Sequence, residues 1–479
     1  MRTFHFVFFS LFLLPVAAHA VCTLPNGDHG DMLYNLDHTV MQYCNGTKWI
    51  SMDASKSGGT DNLGNHTATK DLDMASHKIV NAAVPTSSAD VTNKAYVDAA
   101  VAGAAGGGCD ALTQCTDQGG AWGWKNGVWS CNREGYYAGW GYGNGLGNGT
   151  TTNQLVPIEI QGAWERISPG TGGGSHSCGI KPEGTLWCWG YNAYGQLGNG
   201  TTTSRLTAVS VSGGGSWKAV SPGGGFTCGI KADNTLWCWG ENNYGQLGDN
   251  TVARRSTPAQ ITGGGSWKTV ATGSLYTCAI KADNTLWCWG YNGYGQLGDN
   301  SASTRLIPTQ IGSASWKQIA TNTYHTCGIR TDDTLWCWGR NNEGQLGDGT
   351  AGDKKVPTSI GFGWKAVATG YSYTCGIKTD GYLYCWGSNG QFELGIGGGG
   401  SRTVPTIVSA AETWKEVGAG NYTTCGIKFD DTLWCWGNGS SGQTGGGSTS
   451  TFSEPAQVSG GGLWKQLSSG SNNNFAIKK

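Results

Sequence analysis

The chain is short of charge. Only 13% of its 479 residues are Asp, Glu, Lys or Arg, and 31 bases nearly cancel 32 acids; soluble domains usually carry roughly 25%. A near-neutral chain has no general pull on nucleic acid or anionic lipid, so neither is expected as a partner. Histidine is scarce, and no HExxH, GxSxG or GxxxxGK[ST] occurs, so the usual signatures of metallohydrolase, serine-hydrolase and nucleotide chemistry are missing. After the first twenty residues no apolar run approaches the roughly 20 residues a membrane helix needs. What fills the chain instead is glycine, 82 residues, with 23 Trp and 17 Cys. Glycine does not recur every third residue, which excludes a collagen-like chain. The many aromatics exclude disorder throughout.

Residues 1–20 read as a signal peptide. Arg2 is followed by a largely apolar stretch and by Ala18-His19-Ala20, a small-x-small cleavage site after Ala20. The alternative, a membrane anchor, needs a longer run. Export would place the protein as secreted, periplasmic or on a cell surface, where cysteines oxidise.

Internal repetition is the strongest signal. TCGIKADNTLWCWG begins at Thr227 and returns almost unchanged at Thr277, with relatives at Ser177, Thr326, Thr374 and Thr424. A Trp opens each unit (Trp164, Trp217, Trp267, Trp316, Trp364, Trp414, Trp464), at spacings of 48 to 53 residues. Each unit carries four strand-sized segments broken by Gly and Asn, in one case WKAVS, FTCGIK, LWCWG and TPAQI. Four strands in about 40–50 residues mark a propeller blade; a parallel β-helix is the alternative, with shorter coils. The last unit stops after its second strand, and YYAGWG and VPIEI near residue 136 supply the missing two. The expected fold is therefore all-β: a seven-bladed β-propeller over 136–479, with one blade shared by both chain ends. Pro157, Pro258, Pro308, Pro357, Pro405 and Pro455 are read as standing at the start of the fourth strand of their units. Proline cannot donate to a ladder, so this segment should start an outer, solvent-side strand.

Twelve cysteines form six pairs ten residues apart: Cys178/Cys188, Cys228/Cys238, Cys278/Cys288, Cys327/Cys337, Cys375/Cys385 and Cys425/Cys435. A hairpin with a three-residue loop would set each pair face to face. The third loop position must then accept positive φ, and it holds Gly184, Asn234, Asn284, Asp333, Gly381 and Asp431. In the seventh unit Gly139 and Phe475 replace both members together. Cross-strand disulfides are the expectation. The alternative is metal or redox chemistry, which usually brings C-x-x-C pairs that are absent here.

The units resemble the regulator of chromosome condensation repeat family, on the evidence of WGENNYGQLGDNT at 239–251, the following Pro258, and GSLYTCAI at 273–280. The resemblance spans about 136–479 and implies a seven-bladed propeller closed by a shared blade. The family includes exchange factors for small nuclear GTPases, secreted bacterial β-lactamase inhibitors and many binding proteins. Exchange activity does not carry over, because the GTPase-binding loops find no match here and those factors work inside cells without disulfides.

Residues 21–135 differ in composition. Cys22 and Cys44 bracket a small segment, 21–53, and are expected to pair. Residues 54–108 resemble bacteriophage tail-fibre shaft segments through Leu72-Asp73-Met74, Lys78-Ile79-Val80 and Asn93-Lys94-Ala95-Tyr96-Val97-Asp98. That resemblance implies a β-rich stalk with a short helix near 91–104, often trimeric; the alternative is a monomeric spacer. A linker, 109–135, holds Cys109, Cys115 and Cys131, leaving one thiol over.

Candidate chemistry in the repeats is thin. His176 and His325 each precede a repeat cysteine by two residues, where other units have Phe226, Tyr276 or Tyr373, so packing is their expected role. Asp249, Asp299 and Asp348 follow GQLG; one carboxylate per unit makes a poor calcium cage, and turn roles are expected. Before the fourth strand sit Arg205, Arg255, Arg305, Lys354 and Arg402, a ring of bases that would suit an acidic partner unless they are merely solvated. No cofactor and no catalysis are expected. The sequence points to an exported binding or adhesion protein that presents the propeller to an extracellular or cell-surface protein or glycan, with a homotrimer through the stalk. The alternatives are an inhibitor of a secreted enzyme, or a secreted hydrolase or lyase with its site at the channel mouth.

Overall fold

The computed structural model describes residues 136–479, except 262, and seven short strands earlier in the chain. The chain divides into two units, Met1–Asn132 and Arg133–Lys479. In the first, Met32–Asn35, Val40–Cys44 and Trp49–Ser51 form an antiparallel sheet, and Leu72–Met74/His77–Ile79 and Ala121–Lys125/Val128–Asn132 form two hairpins. The signal segment, the helix near 91–104 and the pairing of Cys22, Cys44, Cys109, Cys115 and Cys131 lie outside the described residues.

The second unit is a seven-bladed all-β propeller of four-stranded antiparallel sheets. Blade 2 is typical. Its strands are Trp217–Pro222, Phe226–Lys231, Leu236–Gly240 and Arg255–Gln260, in that order from the ring centre outward. Blades 1 to 6 follow one another along the chain. Blade 7 combines Trp464–Ser469 and Asn473–Lys478 with Tyr137–Gly141 and Gln154–Glu159, so the two ends of the propeller share one ladder. Helical structure among the described residues is one 3-10 turn, Gly143–Gly145.

The core lies between blades. The second Trp of each LWCWG is buried, and its indole N–H needs a partner there. Trp239 Nε1 donates to the Gln196 carbonyl of the preceding blade (2.9 Å), and Thr227 Oγ1 donates to the same oxygen (2.8 Å). This staple recurs on Gln246 O, Gln296 O, Glu393 O, Gln443 O and Gly145 O. The carbonyl sits in the turn spelled GQLG, and the turn must pass close under the indole. At Gly298, with φ +83°, a Cβ would lie 2.7 Å from Trp338 Nε1. The motif is a backbone requirement.

All six repeat pairs are disulfides. Cys178 is bonded to Cys188, Cys228 to Cys238 and Cys278 to Cys288 in blades 1 to 3. Cys327 is bonded to Cys337, Cys375 to Cys385 and Cys425 to Cys435 in blades 4 to 6. Each bond joins directly opposed residues on the second and third strands of its blade, the register that the ten-residue spacing predicts. The hairpin turns carry positive φ at Gly184, Asn234, Asn284, Asp333, Gly381 and Asp431, between 66° and 88°. In blade 7 Phe475 faces Gly139, whose missing side chain leaves room for the ring: a Cβ would lie 2.8 Å from Phe475 Cε1.

The fourth strand departs from expectation. It begins at Arg205, Arg255, Arg305, Lys354 and Arg402 themselves, so these are strand residues, and Pro258 and Pro308 lie within their strands. The cause is a register shift: Cys238 pairs with Ala259 but Gly240 with Arg255. The extra residues, Pro258 among them, bulge out of an edge strand that loses nothing by the missing N–H.

Candidate functional site

Antiparallel alternation puts the turns between strands one and two on the same side of the ring as the long loops between strands three and four. The tight hairpin turns and the inter-blade links occupy the other side. The two sides differ in chemistry.

The hairpin side neutralises itself. Lys231 Nζ sits 5.2 Å from the Trp217 ring and 4.3 Å from Trp237, and a base caps the matching rings in blades 1 and 3 to 6. Trp237 Nε1 donates to Thr235 Oγ1 (2.8 Å), which donates to Asp233 (2.6 Å). Lys317 pairs with Asp333, and Lys415 with Asp431. The half-buried first Trp of LWCWG is thus already covered by the protein's own cations.

The long-loop side carries tyrosines. Tyr191 and Tyr194 pack at 6.0 Å; Tyr244 meets Tyr291 at 5.0 Å; Tyr294 meets Tyr324 at 5.0 Å; Tyr371 meets Tyr422 at 5.5 Å. Tyr291 joins the second and third of these groups through Tyr294 and Tyr324. Arg254 lies over Tyr194 and Arg340 over Tyr294. Tyr191, Tyr244 and Tyr422 are exposed, and the others are half-buried. Partial burial, then neighbouring tyrosines, raise the Tyr291 and Tyr324 hydroxyls above their usual value, which keeps them neutral. Sequence reading missed this belt because its members come from different offsets in different repeats: after WG in Tyr191 and Tyr291, three residues later in Tyr194, Tyr244 and Tyr294, and in the inner turn at Tyr324, Tyr371 and Tyr422.

The bases expected to form a ring are largely spent. Arg255 binds Asp249 through Nε (3.0 Å) and Nη2 (2.8 Å), Arg305 pairs with Asp299 at 2.6 Å, and Lys354 pairs with Asp348 at 3.2 Å. Arg402 donates to Gly400 O and Ser401 O. Arg205, at the start of its strand, stands where the loop has Asn199 in place of Asp. The aspartates serve turns: Asp249 Oδ1 accepts from Thr251 N (3.1 Å) and Oγ1 (2.7 Å). Partial burial pushes the Asp249 carboxyl up, but bonds from Thr251, Arg255 and Asn242 outweigh it and hold it below the usual range.

His176 and His325 are buried between blades, with Nε2 on Thr227 Oγ1 (2.8 Å) and Thr374 Oγ1 (3.0 Å). Burial pushes both imidazoles down to about 3, so they are neutral packing groups. The mouth of the channel on the long-loop side is crossed by a glycine strap, 170–174. Thr171 Oγ1 donates to Thr272 O of blade 3 (2.6 Å), Gly172 N to Asn322 Oδ1 of blade 4 (3.1 Å) and Gly173 N to Ser471 Oγ of blade 7 (2.8 Å). Hydroxyl, amide and backbone groups hold the strap. Among the described residues no group of three His, Cys, Asp or Glu could hold a metal, and no helix is long and apolar enough to cross a membrane.

One cleft opens on the tyrosine side between blades 4, 5 and 6. It encloses about 330 Å³ and is lined by Arg340, Glu343, Tyr371, Tyr422, Gly390 and Ser401, among others.

The propeller resembles solved structures. It superposes on human WBSCR16 with a TM-score of 0.65 at 19% identity, over 72% of this chain and 99% of that one. It superposes on Prp20p of Saccharomyces cerevisiae, a structure described together with that protein's binding to Gsp1p and histones, with a TM-score of 0.64 at 20% identity, over 72% and 92%. Both likenesses concern the fold. The ultraviolet-B receptor UVR8 of Arabidopsis thaliana is 40% identical over 89 residues, which are 18% of this chain and 20% of that protein, so the match spans a fifth of the relative. Two models of the Regulator of chromosome condensation (RCC1) repeat match, one at 171–196, 217–246, 267–296, 316–345, 364–392 and 414–443, the other at 233–280, 283–329, 332–377 and 380–427. The staple carbonyls Gln196, Gln246, Gln296 and Gln443 fall at the ends of these matched segments. The chain is built of RCC1 repeats folded as a seven-bladed propeller.

Proposed function

We propose that this is an exported, non-enzymatic recognition protein that binds an extracellular or cell-surface protein or glycan through the long-loop side of its propeller. The observation that carries the reading is the tyrosine belt running over the loops of blades 1 to 6. Tyrosine offers large, rigid contact area with a polar tip at low entropic cost, which is why it concentrates in binding surfaces. On the hairpin side the rings of the LWCWG segments are capped by the protein's own bases, and the exposed rings there, Phe362 and Phe429, are isolated rather than joined in a belt. Six disulfides suit a protein that must hold its loops outside the cell. In this reading residues 54–108 form the stalk, and trimerisation there would multiply weak single-site affinities.

The test is binding of the labelled full chain to arrays of ectodomains and glycans and to cell surfaces. Tyr191→Ala with Tyr291→Ala should abolish binding that Lys268→Ala, on the hairpin side, leaves intact. Equal binding by both variants would sink the reading.

A further inference from the structure

We infer that the cleft between blades 4, 5 and 6 is a subsite for one neutral hexopyranose residue of an oligosaccharide. The inference rests on the long-loop side being the recognition side and adds the class of ligand.

Its size suits a small ligand. About 330 Å³ lies at the low end of small-molecule sites, about 300–1,000 Å³. Two walls are aromatic. Tyr371 and Tyr422, both lining the cleft, pack with ring centroids 5.5 Å apart and planes tilted by 39°. A pyranose presents an apolar face of C–H groups to such a surface and a polar rim of hydroxyls around it.

The polar groups match that rim. Arg340 contacts the rings of Tyr294 and Tyr324 (5.2 and 5.9 Å), which leaves a fork of N–H donors for a ligand. Glu343 is held in place: Oε2 accepts from Ser401 Oγ (2.9 Å) and Oε1 from Asn342 Nδ2 (3.0 Å). An ionised carboxylate has about four lone-pair sites, so both oxygens can accept again. One cleft thus holds a fixed donor fork and a fixed acceptor pair, with net charge near zero. Hydroxyls both donate and accept and satisfy the two at once. An acidic sugar would set its carboxylate against Glu343. A proline-rich peptide would use the rings but bring no donor to Glu343, and a desolvated carboxylate without a donor is costly.

The rim is open where a side chain would close it. A Cβ built on Gly390 meets nothing within 4 Å, and the backbone there is not left-handed. Gly390→Leu therefore adds a bulky side chain at the cleft lining with no clash at its Cβ.

Saturation-transfer NMR on the full chain tests the inference. The probes are the methyl glycosides of glucose, mannose, galactose and N-acetylglucosamine, with glucuronate and decaproline as the rival chemistries. The expected result is transfer to at least one neutral glycoside, weakened about tenfold or more by Gly390→Leu and by Tyr422→Ala, and unchanged in Lys268→Ala, on the hairpin side. Binding of glucuronate or decaproline alone, no binding of any probe, or glycoside binding that survives both cleft variants would overturn it. The wider reading fails separately, through array binding that ignores Tyr191 and Tyr291. If Gly390→Leu does not fold, Tyr422→Ala, at a 37% exposed side chain, decides the outcome.

Discussion

Acid should weaken this propeller through two histidines that do no chemistry. His176 and His325 are buried between blades, and burial lowers each from 6.5 to about 3. In the unfolded chain they protonate near 6.5; in the fold they stay neutral until far lower. The unfolded state therefore binds more protons between these values, and stability falls as pH falls through that window. Each histidine contributes a slope of about 1.4 kcal/mol per pH unit. From pH 6.5 down to 4.5 the two together cost about 5 kcal/mol, comparable to the whole stability of many domains. The repeats themselves supply the replacements, since Phe226 and Tyr276 occupy the same position in blades 2 and 3. Thr227 Oγ1 still donates to Gln196 O when His176 is replaced, so it is not orphaned. The double variant His176→Phe/His325→Tyr should therefore lose this slope. The assay is guanidinium unfolding followed by tryptophan fluorescence, for both proteins, at pH 7.5 and 4.5 with disulfides intact. The variant should gain about 5 kcal/mol on the wild type between the two pH values. Parallel pH dependence within about 0.5 kcal/mol would refute the assignment of buried, neutral imidazoles.

Other consequences can be measured the same way. Burial raises Glu416 to about 7, while its Oε2 accepts from Leu467 N; the folded state holds its proton between about 4.5 and 7, so Glu416 costs stability above that window. Glu416→Gln should stabilise by about 1–3 kcal/mol at pH 8.5 and change little at pH 4.5. Replacing Cys278 and Cys288 together by Ala opens a short loop and should cost about 2–3 kcal/mol in thermal or denaturant unfolding. Because all twelve repeat cysteines are fully buried, reductant without denaturant should leave them unalkylated by mass spectrometry, and labelling of the native chain would contradict their placement. Gly298→Ala meets both a left-handed backbone and the Trp338 indole, and should cost about 2–5 kcal/mol, seen as a lowered Tm.

Much of the fold was legible in the sequence because each blade repeats the same local rules. Paired cysteines ten residues apart, as in Cys178/Cys188 or Cys425/Cys435, with Gly, Asn or Asp at the turn position, dictate a hairpin whose register is set by the turn alone. A final unit with two strands, answered by two strands near residue 136, is arithmetic on the repeat. The fourth strand was harder. A bulge between Cys238 and Gly240 moves its start to Arg255, and no local signal distinguishes a bulged edge strand from a loop that ends in proline. The pairing of Arg255 with Asp249, six residues before it, has no local signal either, because only the folded loop brings them into contact.

The candidate site divides along the same line. The amino-acid sequence alone determined what each repeat does to itself and to the next: the hairpin disulfide, the buried Trp, the glycine beneath it. Those are short-range requirements of backbone conformation and packing, and they are spelled out residue by residue. Which tyrosines meet, and where a cleft opens, was decided by the ring. Tyr294 and Tyr324 are thirty residues apart and sit in different loops of neighbouring blades; Thr171 reaches Thr272 two blades away. Those contacts depend on the angle between blades and on the closing of the ring, and both are properties of all seven sheets together.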